Sequence, residues 1–232
     1  MATFVLVHGA WHGGWCWRRV LPLLRAAGHE AHAPTLTGLG DRAHLLTRDV
    51  GVETWVDDLC ATLVAEDVRD AVLVGHSFAG LLVLAVAERL PGRIAQLVFL
   101  DAHTPEDGES PVDEAPALGP LVRAAAAEHG DGWLVPPWQA AALGIDDPAD
   151  AAWVDARLTP FPLAAFEHRV ALSSEIARAI PRTYVWCTRS LFGPIAEQAR
   201  ADGWPVLELD AGHDAMVTAP DALAGLLRRL VE

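Results

Sequence analysis

Cysteine is scarce in this chain of 232 residues, with only Cys16, Cys60 and Cys187. Scattered and odd in number, they exclude a disulfide framework and give no paired metal spacing. That usage predicts a reducing compartment, and a cytoplasmic protein is expected. Lysine is missing, so arginine supplies all 17 basic residues against 31 acidic ones, for a formal charge of −14. Nucleic acid and anionic membranes need a basic face, so this balance excludes both as partners. Long apolar runs are also missing, and no stretch approaches the length of a membrane span. The N-terminus opens on Thr3-Phe4-Val5-Leu6-Val7 without a basic region or cleavage site, so no signal peptide is expected. What remains is 52% hydrophobic and 21% charged, which suits one globular domain with a substantial core. The bias toward Ala, Arg, Gly and Pro fits a GC-rich bacterial genome.

The ordering of apolar runs is more informative. Thr3–Val7, Ala71–Gly75 and Gln96–Leu100 are short buried-strand patterns, and His29–Pro34 is a weaker one. Helical spacing over Cys16–Ala27, Val52–Glu66 and Phe78–Leu90 fills the intervals. This alternation predicts an α/β fold, a mostly parallel central sheet of about six strands flanked by helices. The rhythm stops after Leu100 and resumes with strands at Thr183–Cys187 and Val206–Leu209. Residues 105–180 carry prolines, alanine-rich stretches and the aromatics Trp133, Trp138, Trp153, Phe161 and Phe166. They read as a helical cap inserted between core segments 1–104 and 181–232, all one domain. The acidic, proline-bearing loop Asp107–Pro116 is expected to be exposed. No internal repeat is present.

The chemistry centres on Gly75-His76-Ser77-Phe78-Ala79-Gly80. A serine between a buried strand and a helix, flanked by small residues, fits a nucleophile elbow, although Ala79 stands where the motif's second glycine belongs. A serine hydroxyl needs a base to take its proton, and the base needs a carboxylate to orient it. His213 lies just after the last predicted strand, at the sheet edge where such sites assemble. The penultimate strand ends in Thr188-Arg189-Ser190 without a carboxylate, and Glu197 falls inside a helix. Asp101, at the end of the strand after the elbow helix, is therefore the expected acid, making Ser77, His213 and Asp101 the catalytic set. Backbone N–H groups of Phe78 and of Ala10 are the expected oxyanion donors. Trp11, His12, His103, Trp138 and Met216 are weaker substrate-lining candidates. No Walker loop, dinucleotide fingerprint or metal-ligand spacing is found, so no cofactor and no metal are expected.

Val5-Leu6-Val7-His8-Gly9-Ala10-Trp11-His12-Gly13-Gly14-Trp15, Thr35-Leu36-Thr37-Gly38-Leu39-Gly40, Gly75-His76-Ser77 and Gly212-His213-Asp214-Ala215-Met216 together resemble the α/β-hydrolase superfamily. The resemblance is to the branch holding plant methyl-ester esterases, hydroxynitrile lyases and small bacterial hydrolases. It implies a core parallel sheet, a helical cap over the serine and no cofactor, and none of these motifs is specific to a substrate. Plant members carry an aspartate where Ser190 stands; haloalkane dehalogenases and some lipases place theirs after the strand that carries Asp101. The lyases have a threonine at Gly9 and a lysine at Asp214, where an aspartate would repel cyanide. Dehalogenases need an aspartate nucleophile at Ser77. The expectation is a serine hydrolase of a small apolar ester or lactone, with room for a homodimer. A cyclase or lyase of secondary metabolism, or a weakly catalytic ligand-binding protein, are the alternatives on the same scaffold.

Overall fold

The computed structural model describes residues 1–232. The β-branched and leucine-rich runs pair into a single six-stranded sheet, every neighbouring pair parallel. Its first four strands are β1 (Thr3–Val7), β2 (Glu30–His32), β3 (Ala71–His76) and β4 (Ile94–Leu100). A small antiparallel ladder follows, β5 (Leu134–Val135) with β6 (Phe161–Pro162), before β7 (Arg182–Cys187) and β8 (Val206–Leu209) rejoin the main sheet. The spatial order β2-β1-β3-β4-β7-β8 reverses direction between β1 and β3. Beyond the carboxyl ends of those two strands lies the crevice where open α/β sheets bind ligands.

Both sheet faces are covered, so the central strands are apolar on both sides. In β3, Ala71 and Leu73 join one core cluster, whereas Val72 and Val74 join the other, as the period of two requires. Helices α1 (Val20–Ala26) and, at the chain end, the segment Pro220–Arg229 pack into the second cluster. Helices α2 (Val52–Ala65) and α3 (Ala79–Arg89) cover the opposite face.

The expected helix over Cys16–Ala27 is divided. Residues Gly14–Arg19 form a 3-10 turn, and α1 proper begins at Val20. Pro22 accounts for the division: it has no N–H to donate to Arg18, so an α-helix can contain it only in the first turn. The strand expected at His29–Pro34 is limited to Glu30–His32.

Between β4 and β7 run the short α4 (Pro111–Glu114), α5 (Leu118–His129), α6 (Pro148–Asp155), α7 (Leu163–Phe166) and α8 (Glu175–Arg178). The β5–β6 ladder was not anticipated; at two residues per strand it is too short for alternation to register in sequence. Asp107–Pro116 also departs from the expected exposed loop. Ser110 and Pro111 are buried, and Ser110 and Asp113 form a reciprocal capping box that starts α4. After β7 comes α9 (Gly193–Ala201); β8 is followed by α10 (Ala215–Thr218) and α11 (Pro220–Arg229).

Candidate active site

Ser77 follows β3 with φ of +55°, a left-handed conformation that a residue with a Cβ adopts only under constraint. The constraint is visible. Its N–H donates to Leu100 O at 3.1 Å, and its carbonyl accepts from Gly80 N at 3.2 Å and His103 N at 3.0 Å. The glycines that matter here are Gly75 and Gly80. A Cβ on Gly75 would stand 2.7 Å from Ala79 O, and one on Gly80 only 1.9 Å from His103 O. Ala79, by contrast, is accommodated in the core. The departure from Gly-x-Ser-x-Gly is thus a one-residue shift in where helix and neighbouring loop touch most closely.

The amides of Phe78 and Ala10 donate to no protein acceptor, and both residues are buried and line the cavity at Ser77. Unpaired buried N–H groups cost free energy at rest, and such groups suit an incoming anionic oxygen. Trp11, next to Ala10, is also left-handed, with φ of +65°. It is pinned through Thr159 N, which donates to its carbonyl at 2.9 Å, and through its own indole N–H, which donates to Val135 O at 3.1 Å.

Asp101 follows β4 with φ of +45° and is fully buried. His213 Nδ1 lies 2.7 Å from Asp101 Oδ2. The other carboxylate oxygen accepts from Cys187 N at 3.1 Å and from the Ser190 hydroxyl at 2.8 Å. Ser190, noted above only as the place of a lost acid, therefore donates to the acid from the neighbouring strand. The ring of Phe192 stacks on His213 at 4.9 Å with an interplanar angle of 10°. Glu197 is on the surface, paired with Arg200 and away from His213.

Behind these groups is a buried polar cluster that sequence did not anticipate. His12 Nδ1 is 2.7 Å from Ala10 O and its Nε2 is 2.9 Å from Asp214 Oδ2. Two acceptors flank one ring, so both nitrogens carry protons and the pair is ionic. Burial opposes the charge, but the Asp214 carboxylate outweighs it and raises the His12 pKa above the ordinary 6.5. Asp214 is lowered: burial opposes its charge too, and the His12 cation outweighs that. His76 donates from Nε2 to His213 O at 3.1 Å, and burial, reinforced by His213, pushes its pKa well down. His8 accepts from Leu36 N at Nε2, and burial lowers it to about 4. Two of these contacts join loops: His12 ties the Ala10 carbonyl to the residue after His213, and His76 holds the His213 backbone.

A cavity of about 520 Å³ contains Ser77, His213, Ala10 and Phe78 in its wall, with mostly apolar residues around them. Of the expected lining residues, Trp11, His103 and Trp138 are on that wall. His12 and Met216 are not: His12 is turned into the ion pair, and Met216 packs in the core cluster shared with α11. Asp214 also stays out of the cavity, fully buried against His12. Its charge is neutralised there, so the repulsion of cyanide expected from sequence has no basis in this geometry. Phe192, Ile195, Leu118, Leu121 and Phe166 complete much of the apolar wall.

The model of the alpha/beta hydrolase family matches residues 4–226. A carbendazim hydrolyzing esterase from Nocardioides sp. (strain SG-4G) is 39% identical over 99% of this chain and 100% of its own length. Methylesterase 1 of Arabidopsis thaliana is 41% identical over a shorter stretch, 47% of this chain and 42% of that protein. Among solved structures, an extracellular alpha/beta-hydrolase from a Paenibacillus species aligns with a TM-score of 0.84 at 24% identity, covering 99% of this chain and 98% of that one. With the family model spanning nearly every residue and a full-length relative at this identity, the chain belongs to the alpha/beta hydrolase family.

Proposed function

We propose that the protein is a serine esterase that cleaves a small, largely apolar carboxylic ester or lactone through an acyl-enzyme. One observation carries this reading: Ser77, strained at the β3–α3 turn, shares a cavity with a histidine whose far nitrogen is held 2.7 Å from a buried carboxylate. In the forward step Ser77 Oγ attacks the ester carbonyl carbon while His213 Nε2 takes the hydroxyl proton. Asp101 holds the Nδ1–H and stabilises the imidazolium that forms. The carbonyl oxygen, now negative, lies against the Phe78 and Ala10 amides, each donor of this kind contributing about 10²–10³ in rate. His213 gives its proton to the departing alcohol, then activates a water that releases the acid from Ser77.

The apolar wall supports an apolar acyl or alcohol group. Residues 105–180 act as a cap, since they supply Leu118, Trp138, Leu143 and Phe166 to that wall. Three unpaired thiols support a cytoplasmic location. The Nocardioides relative is named for carbendazim, so that compound belongs in the first substrate screen beside aryl, alkyl and methyl esters and lactones. A fluorophosphonate probe is expected to label the wild-type chain and to leave Ser77→Ala unlabelled. Equal labelling of the two would end the reading.

A further inference from the structure

The cavity holds a second histidine–carboxylate pair that the proposed chemistry leaves unused. His103 Nδ1 is 2.6 Å from Glu114 Oε2. The other oxygen of Glu114 accepts from Thr104 N at 2.8 Å and from the Thr104 hydroxyl at 3.1 Å. Glu114 comes from α4 and His103 from the loop after β4, so the pair ties the cap to the core at the cavity that Ser77 lines. The His103 backbone N–H is itself bonded to Ser77 O. Its ring meets Phe192 edge-on at 5.1 Å, and Phe192 in turn stacks on His213. The two histidines thus contact the same phenyl ring.

Their protons follow from their partners. An ionised Glu114 is an acceptor only, so the Nδ1 facing it carries the hydrogen. In the neutral ring Nε2 is then a bare acceptor. That nitrogen has no protein partner, yet it is not among the sealed, unpartnered polar atoms of the interior, so it is open to the space that His103 lines. Apart from the Trp138 indole N–H, which is a donor, the remaining polar side chains of the wall are committed elsewhere. Ser190 donates to Asp101, Arg189 is an exposed residue paired with Asp210, and Ser77 and His213 are assigned to the reaction. Within an otherwise apolar chamber, His103 Nε2 is the acceptor left to recognise polarity, and the polarity it recognises is a donor.

We propose that His103 Nε2 accepts a hydrogen bond from an O–H or N–H group of the substrate, so that the preferred substrates are donor-bearing esters, with hydroxy esters as the simplest class. This inference rests on the assignment of the Ser77 cavity as the ester site. Methylating the donor removes the bond and leaves Nε2 facing a methyl group, so the hydroxyl form is favoured by about tenfold or more. Glu114 sets the sign of the preference. In Glu114→Gln the amide oxygen remains the acceptor for Thr104 and the amide NH₂ is left for Nδ1. The ring proton then moves to Nε2, which becomes a donor.

The test uses two matched pairs, methyl mandelate and methyl 3-hydroxy-3-phenylpropanoate, each against its O-methyl ether. With wild-type protein, kcat/KM for at least one hydroxy ester is expected to exceed that of its ether by tenfold or more. The ratio is expected to collapse toward one in His103→Phe, which keeps the aromatic edge on Phe192, and to fall to one or below in Glu114→Gln. A ratio under twofold for both pairs in the wild type, or an undiminished ratio in a folded His103→Phe protein, overturns the proposal. The same pairs are titrated against Ser77→Ala by tryptophan fluorescence, since Trp11 and Trp138 line the cavity. Discriminating binding without wild-type turnover supports the role of His103 and counts against the esterase reading instead. Absence of both discrimination and turnover overturns both.

Discussion

Asp101 illustrates how much one carboxylate depends on its neighbours. It has no arginine or lysine partner; its charge is held by His213, by the Cys187 amide and by the Ser190 hydroxyl. Asp101→Asn removes the acceptor that fixes the His213 tautomer, and kcat is expected to fall about 10³–10⁴-fold with little change in fold. Ser190→Ala removes one charge-assisted bond, and a loss of about tenfold to a hundredfold in kcat is expected. Glu197→Gln, on the surface beside Arg200, is expected to leave steady-state kinetics unchanged. Steady-state assays of the three variants on one aryl ester check these outcomes together. At this scale the placement of Ser77, His213 and Asp101 near one another was legible, because chain order and strand ends confine where such groups can stand. The partners Ser190, Phe192 and Glu114 were not, because a hydrogen bond or a stacked ring between distant segments leaves no spacing to read.

Elements meet most tightly where α3 crosses the loop after β4. A Cβ on Gly80 would stand 1.9 Å from the His103 carbonyl, which is backbone and cannot swing aside. Gly80→Ala is therefore expected to destabilise the fold by about 3 kcal/mol or more, a drop of roughly 6–12 °C in Tm for a chain of this size. Ala79→Gly carries only the entropic cost of glycine within a helix, about 1 kcal/mol. Thermal melts followed by circular dichroism separate the two. The elbow's strand-to-helix character was legible from the switch of apolar period at Gly75. Which of the two following small residues bears the close approach was not, since that depends on how β4 leaves the sheet. The helix expected over Cys16–Ala27 missed the division that Pro22 imposes by its absent N–H, and the two-residue strands of the β5–β6 ladder carried no periodic signal.

For the whole molecule, the buried histidines set the response to pH between 5 and 8. His8 is lowered to about 4 and His76 is also lowered, so below 6.5 the unfolded chain takes up protons that the native state refuses. Stability therefore falls on acidification, by up to about 1.4 kcal/mol per pH unit for each group. His12 has the opposite sign. Its raised pKa contributes stability that is complete below 6.5 and is lost as pH rises through the folded value. Urea unfolding across this window is expected to place the maximum near pH 6.5. Asp214→Asn, which leaves His12 without its counter-ion, is expected to remove the alkaline decline and to lower stability by about 3 kcal/mol at the maximum.

Local physical chemistry was enough to determine the alternating strands and helices, the strained serine turn and the sheet edge at which Ser77, Asp101 and His213 stand. Each is written in residues close together or in the period of a single element. Tertiary structure alone decided the rest. It turned His12, expected at the substrate, and Asp214, expected to repel cyanide, into a buried ion pair, and it drew Glu114 from an acidic loop to His103 in the cavity wall. Those pairings join residues 202 and 11 positions apart. Their strength comes from burial, and only packing the layers together creates burial.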